Sequence, residues 1–371
     1  MIGFKSKYYS LDQIDRVDSQ YKIIIGERSN GKTYAVLKKM LDSYLDHGAK
    51  SAYVRRWDTD IKTYRVNRLY SGMAENGYIL KASKGKFNDV IYRRGAFYLV
   101  LRNEDGEIVS REENPFCACF AISNAEHDKG GTFSTNIETV LFDEFVTRRA
   151  YLPDEFISWN NTLSTIVRTN DKATIYMVAN NVSWTCPYFV EMGLNRVRSM
   201  KQGEIDVYQY GETGLKVAVE YVKPMEQSAK PSNIYFAFDN PRLNMIKNGA
   251  WEIAVYPHLP EKYRLDEIVL SFFIMYEGDI LHCDVVRKPS LQFIFVHNKT
   301  TDIQNPDHDI IYSPEFDARP NWFRDIYAIK YPFQKKLASL IRMNKLYFQS
   351  NEVGEVFRNY IKWCRGHEDF A

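Results

Sequence analysis

Long apolar runs are missing from this sequence of 371 residues. No window approaches the roughly 18 to 20 uninterrupted apolar residues that cross a bilayer, so no membrane span is expected. The opening segment from Met1 to Tyr9 lacks the apolar core of a secretory signal, which points to a cytosolic protein. Cysteine is scarce. Cys117, Cys119, Cys186, Cys283 and Cys364 form neither a C-x-x-C pair nor a disulfide-like spacing, and read as packing residues in a reducing compartment. An excess of one charge is missing too. Lys and Arg number 49 against 47 Asp and Glu, a formal net charge of +2, and there is no long basic tract; composition alone announces no nucleic-acid partner. The triplet His282, Cys283 and Asp284 falls in a predicted strand, where alternation sends side chains to different faces, so no metal site is expected there. Internal repeats and low-complexity tracts are also lacking.

What is present is a globular composition, 45% hydrophobic and 15% aromatic. The chain is long enough for two or three domains, because cores rarely grow past about 250 to 300 residues before splitting. The first two thirds alternate apolar strands with helical stretches, the pattern of a mostly parallel sheet with crossover helices. Four runs read as buried central strands: 21–25, 51–54, 139–142 and 173–179. Between the second and third, residues 96–102 and 107–111 read as a hairpin turned at Asp105 and Gly106. A polar, Pro-bearing stretch from Glu226 suits a linker. Three further runs, 268–276, 280–286 and 291–296, read as an antiparallel meander, and 338–348 and 353–363 carry the apolar spacing of closing helices.

The strand at 21–25 runs directly into Gly26, Glu27, Arg28, Ser29, Asn30, Gly31, Lys32 and Thr33. This is a complete G-x-x-x-x-G-K-[ST] phosphate loop followed by a helical stretch. Its glycines let successive N–H groups point at a phosphate, Lys32 reaches the β- and γ-phosphates, and the Thr33 hydroxyl ligates Mg²⁺. ATP and Mg²⁺ are therefore the expected ligands.

A second motif follows, Thr139 to Phe142 ending in Asp143 and Glu144. An apolar strand closed by two carboxylates is the Walker B pattern. Asp143 would hold Mg²⁺ and Glu144 would polarise the attacking water, since phosphoryl transfer needs positioning and charge stabilisation. A glutamate after the metal aspartate is typical of ASCE-type P-loop ATPases, which work as rings or dimers and take an arginine from a neighbour. Arg168, at the end of an amphipathic helix, is the candidate finger; a solvated arginine favoured there by the helix dipole is the alternative. Asn180 sits where a polar sensor would meet the γ-phosphate, or is a turn asparagine. Arg28, Arg55 and Arg56 add positive charge on the same sheet edge, for phosphate, for a DNA backbone or for surface salt bridges.

A phosphate loop with arginine in its third position, Ala52 to Trp57, Val140 to Phe145, Ile166 to Arg168 and Val178 to Ser183 occur here in order. Together, over roughly residues 9 to 190, they resemble the DNA-packaging ATPases of phi29-like bacteriophages, compact relatives of terminase large subunits. The resemblance implies Walker roles for Lys32, Thr33, Asp143 and Glu144, a trans-acting finger at Arg168 and a second trans-acting basic residue at Lys129. It implies a homopentameric ring in the host cytoplasm that docks on the portal of an empty procapsid, in some relatives with a packaging RNA, and drives double-stranded DNA inward. It also implies three domains: a P-loop ATPase domain over 1–234, a small linker domain over 235–264, and a C-terminal α+β domain of RNase H-like fold over 265–371. Terminase nucleases of that fold need converging carboxylates, and residues 268–276 contain none; nuclease activity is not expected. Lys62, Arg65 and Arg68, at i, i+3 and i+6, read as one side of a helix that either meets DNA phosphates or is a solvated face.

Overall fold

The computed structural model describes residues 8–28, 30–62, 66–124, 137–147, 151–168, 170, 172–181, 186–211, 213–223, 256–259 and 261–366. The chain divides into two compact units, one of residues 1–147, 151–182 and 194–251, the other of 148–150, 183–193 and 252–371.

The first unit is built on ten strands: β1 (Tyr21–Gly26), β2 (Lys50–Arg55), β3 (Asp89–Arg93), β4 (Ala96–Arg102), β5 (Ile108–Arg111), β6 (Cys117–Ala121), β7 (Ile137–Asp143), β8 (Thr174–Asn180), β9 (Ile205–Tyr210) and β10 (Leu215–Tyr221). They form one sheet in the order β3-β4-β6-β2-β7-β8-β1-β10-β9, with β5 paired to β4. From β6 through β10 the neighbours run parallel. Strands buried on both faces read as unbroken apolar runs, which is why β1, β2, β7 and β8 stand out in the sequence. The hairpin β4–β5 also forms, with Gly106 at φ +81° in its turn. β3, β6, β9 and β10 are additions that periodicity did not announce.

Helix α1 (Lys32–His47) buries Val36, Leu37, Met40 and Leu41 and stops at Gly48, whose N–H bonds to the Tyr44 carbonyl in a left-handed cap. Each such side chain removed from water contributes about 1.5–3 kcal/mol. Helix α2 (Glu155–Val167) buries Trp159, Leu163 and Ile166. One charge sits inside β1: burial disfavours it, and Lys22 Nζ offsets part of that cost by donating to the carbonyls of Ile14 (2.8 Å) and Val17 (2.9 Å) and facing Asp15.

The second unit carries β11 (Ile268–Tyr276), β12 (Asp279–Lys288), β13 (Leu291–Asn298), β14 (Ile311–Tyr312), β15 (Trp322–Phe323) and β16 (Leu346–Phe348), with helices α3 (Pro332–Arg342) and α4 (Asn351–Gly366). The order is β15-β14-β11-β12-β13-β16. β11, β12 and β13 form the expected antiparallel meander, β14 lies parallel to β11, β15 to β14 and β16 to β13. Phe272, Ile274, Leu281, Cys283, Ile294 and Val296 share a core with Leu337, Ile341, Phe357 and Tyr360 of α3 and α4.

One expectation is corrected here. The helix expected over 338–348 ends at Arg342, because Asn344 takes a left-handed conformation (φ +53°) and releases Leu346–Phe348 to pair with β13. The expected alternation of His282, Cys283 and Asp284 is present: Cys283 enters the core, and His282 and Asp284, two apart, share the opposite face. The linker read from Glu226, and most of the span 235–264, lie outside the described residues.

Gly354, inside α4, has no room for a side chain, since a Cβ would stand 2.3 to 2.7 Å from the Tyr256 ring. Alanine in a helix normally gains up to about 1 kcal/mol over glycine. Gly354→Ala is expected to lower the melting temperature instead; a rise would show that Tyr256 does not pack there.

Candidate nucleotide site

β1 ends at Gly26 and the chain turns into α1, so the loop lies at the C-terminal edge of the parallel strands, where α/β sheets bind ligands. Both glycines are required. A Cβ on Gly26 would stand 2.9 Å from Val222 and 3.2 Å from the Asn30 amide, and Gly31 holds φ +94° with Tyr8 3.3 Å from its Cβ position.

Lys32 folds into its own loop. Its ammonium donates to the Glu27 carbonyl (2.5 Å), Asn30 Oδ1 (3.0 Å) and Asn180 Oδ1 (3.3 Å), and the residue is only 4% exposed. Burial pulls its pKa down to about 7, against the opposing pull of Asp143 and Glu27. The Asn30 amide nitrogen is buried there with no hydrogen-bond acceptor among the described residues, a donor available to an anion. Thr33 Oγ1 donates to Asp143 Oδ1 at 2.9 Å, so the loop hydroxyl and the strand carboxylate, 110 residues apart, form one pair of oxygen donors of the kind a hard divalent cation takes. One cavity gathers Asn30 to Tyr34, Asp143, Glu144 and Val178 to Asn180.

Asp143 is buried, and burial pushes its carboxyl up while Arg55, 3.7 Å away, pulls it down; Tyr53 OH donates to its second oxygen at 3.1 Å. Glu144 follows in a left-handed conformation at φ +57°, a strain of about 1–3 kcal/mol for a non-glycine residue. Arg56 holds that turn in place. Its Nη1 and Nη2 donate to the carbonyls of Glu144 (3.3 Å) and Phe145 (2.6 Å), and its Nε to Glu155 Oε2 (2.7 Å) at the start of α2. Arg55 Nη2 reaches the Glu144 carboxylate at 2.5 Å.

The predicted residues therefore separate. Gly26, Asn30, Gly31, Lys32, Thr33, Asp143, Glu144 and Asn180 come together. Arg168 caps α2 as expected, in an unusual conformation (φ +49°, ψ −108°), its N–H on the Ser164 carbonyl. Ser29, Arg65 and Lys129 lie outside the described residues. The helix expected to join Lys62 to Arg68 does not run through Lys62, whose backbone is extended (φ −70°, ψ +146°) at the end of a 3-10 turn. Arg56 is a buried clamp and not a surface salt bridge, and Arg55 faces carboxylates. The signal for both was the charge pair itself, placed where a buried strand ends.

A model of the family of podovirus DNA encapsidation proteins (Gp16) matches residues 113–220. The DNA packaging protein of Bacillus phage B103 is 25% identical over 181 residues, 48% of this chain and 49% of that protein. The chain thus spans about half the length of the curated relatives it matches. Two solved structures align over nearly all of it. The phi28 gp11 DNA packaging motor covers 97% of this chain and 99% of its own at 17% identity and a TM-score of 0.55; the phi29 genome packaging motor assembly covers 96% and 100% at 18% identity and 0.56.

Two outcomes test this site. Burial holds the Lys32 pKa down to about 7 and bound phosphates would raise it, so ATP binding at pH 8 without Mg²⁺ should take up protons; calorimetry in buffers of different ionisation enthalpy would show it, and no buffer dependence would contradict it. Arg56→Met should cost about 3–5 kcal/mol by denaturant unfolding, since it strands a buried Glu155, and adding Glu155→Leu should recover most of that loss. In fold over nearly its whole length, and in sequence over about half of it, the chain is similar to the DNA-packaging motor proteins of phi29-like phages.

Proposed function

We propose that the chain is an ATP-driven motor that moves double-stranded viral DNA through a portal into a preformed procapsid. The observation that carries the reading is the meeting of Thr33 and Asp143 at 2.9 Å with Glu144 next in the chain, in a fold similar to packaging motors end to end. Magnesium-bound ATP supplies the phosphoanhydride bond. The loop N–H groups and Lys32 hold its phosphates, Thr33 and Asp143 hold the cation, Asn180 contacts the terminal phosphate or the attacking water, and Glu144 orients that water and accepts its proton. For this Glu144 leaves Arg55, which engages its carboxylate in the arrangement described. The separation of β1 from β7 by β8 supports an ASCE-type ATPase domain.

The proposed organisation is three domains, 1–234, 235–264 and 265–371. For the last, the order β13-β12-β11-β14-β15, antiparallel on one side of β11 and parallel on the other, supports an RNase H-like reading. β11 carries no carboxylate, which favours a vestigial nuclease over an active terminase. The motor works as a homo-oligomeric ring, a pentamer as the sequence resemblance implies, at the procapsid portal in the host cytoplasm, with a packaging RNA where the phage encodes one. Arg168 and Lys129 act on the neighbouring subunit's site. A nucleotide switch would not need Glu144 beside Asp143.

Glu144→Gln should lower ATP turnover by roughly 10²-fold or more and leave ATP binding intact; unchanged turnover would refute its role. Mixing Arg168→Ala with Glu144→Gln subunits should restore part of the hydrolysis, and no rescue at any ratio would refute an arginine acting between subunits.

A further inference from the structure

One face of the second unit's sheet packs against α3 and α4, and the other carries a cluster that the nucleotide site does not use. His282 and Asp284 share that face of β12, and the antiparallel register sets His297 of β13 directly across from His282. His282 Nε2 stands 3.3 Å from Asp284 Oδ1, His297 Nε2 stands 3.4 Å from Asp284 Oδ2, and the three ligand atoms all lie within 4.8 Å of one another. Asp284 is 4% exposed and its carboxylate is aimed by two hydroxyls, Ser271 Oγ at 2.6 Å and Tyr263 OH at 2.7 Å. Ring contacts with Phe273 (4.7 Å) and Phe295 (5.6 Å) limit the rotation of the two imidazoles.

Two accounts compete for this cluster. Imidazolium–carboxylate hydrogen bonds run about 2.7–2.9 Å, shorter than either contact here. Ligands held tetrahedrally at about 2.0–2.1 Å from an ion stand about 3.3–3.4 Å apart, close to the two His–Asp284 contacts, and the three ligand atoms, one per residue, fit within 4.8 Å of one another. The donor set decides the class of ion. Two imidazole nitrogens and one carboxylate suit zinc and its first-row neighbours, whereas Mg²⁺ takes oxygen alone. The imidazoles are about a quarter exposed, which leaves an entry path and a coordination position for water, and the Ser271 and Tyr263 hydroxyls are the outer partners that fix a ligating carboxylate.

We infer that His282, Asp284 and His297 form a site for a divalent transition metal, zinc first, distinct from the cation site of the phosphate loop. The ion joins β12 to β13 and, through Asp284, holds the segment bearing Tyr263 against the sheet. It therefore stabilises the second unit in proportion to its concentration over its dissociation constant.

The test uses the intact, untagged protein, stripped of metal and equilibrated with a zinc buffer. One zinc per chain is expected by mass spectrometry, with visible d–d absorption on Co²⁺ substitution and a zinc-dependent rise in melting temperature. Asp284 satisfies too many donors to be removed safely, so the variants are His282→Gln and His297→Gln. Each should weaken zinc binding roughly 100-fold or more and abolish the thermal shift, with unchanged circular dichroism and unchanged ATP affinity. Absence of zinc from the wild-type chain, or stoichiometric zinc and cobalt spectra retained in both variants, would overturn the site.

Discussion

Two adjacent carboxylates, Asp143 and Glu144, stand at the end of a buried apolar strand, and the first unit is organised around keeping them there. Like charges a few ångströms apart repel by several kcal/mol at an effective dielectric of about 20, and Asp143 has lost its water as well. Three cations answer them, one from the loop after β1 and two from the end of β2. Lys32 approaches from the loop after β1, Arg55 at the end of β2 touches both carboxylates, and Arg56 holds the backbone on which Glu144 turns. The strand order makes this convergence inevitable, because β2, β7, β8 and β1 lie side by side and parallel.

The balance is provisional by construction. Lys32 spends its hydrogen bonds on Glu27, Asn30 and Asn180, and Glu144 spends its carboxylate on Arg55. A triphosphate and its cation offer stronger partners to Lys32, Thr33 and Asp143. Once they are satisfied, the electrostatic reason for Arg55 to hold both acids weakens, and Glu144 is free to turn. On the proposed reading, binding is in this way coupled to the release of Glu144 from Arg55.

What could be read from the sequence follows how local each feature is. The phosphate loop and the strand ending in Asp143 and Glu144 are contiguous, and their strands are buried on both faces, so both the motifs and the central strands were legible. Arg56 was visible only as a charge, because its partner Glu155 lies 99 residues away. β16 was hidden inside an apolar run of helical spacing, and only the left-handed turn at Asn344 separates it from α3. The stripe of Lys62, Arg65 and Arg68 assumed a helix through Lys62 that a 3-10 turn and an extended residue replace. Alternation places His282 and Asp284 on one face of β12, whereas His297 beside them needed the pairing register, which no local pattern supplies.

The central claim is that nucleotide chemistry at Asp143 and Glu144 is spent on moving DNA. The most direct measurement is steady-state ATP turnover by the intact chain with and without double-stranded DNA, over a range of salt. The account predicts a turnover that rises on adding DNA and loses that rise as salt weakens phosphate contacts. A turnover that is indifferent to DNA at low salt would contradict it.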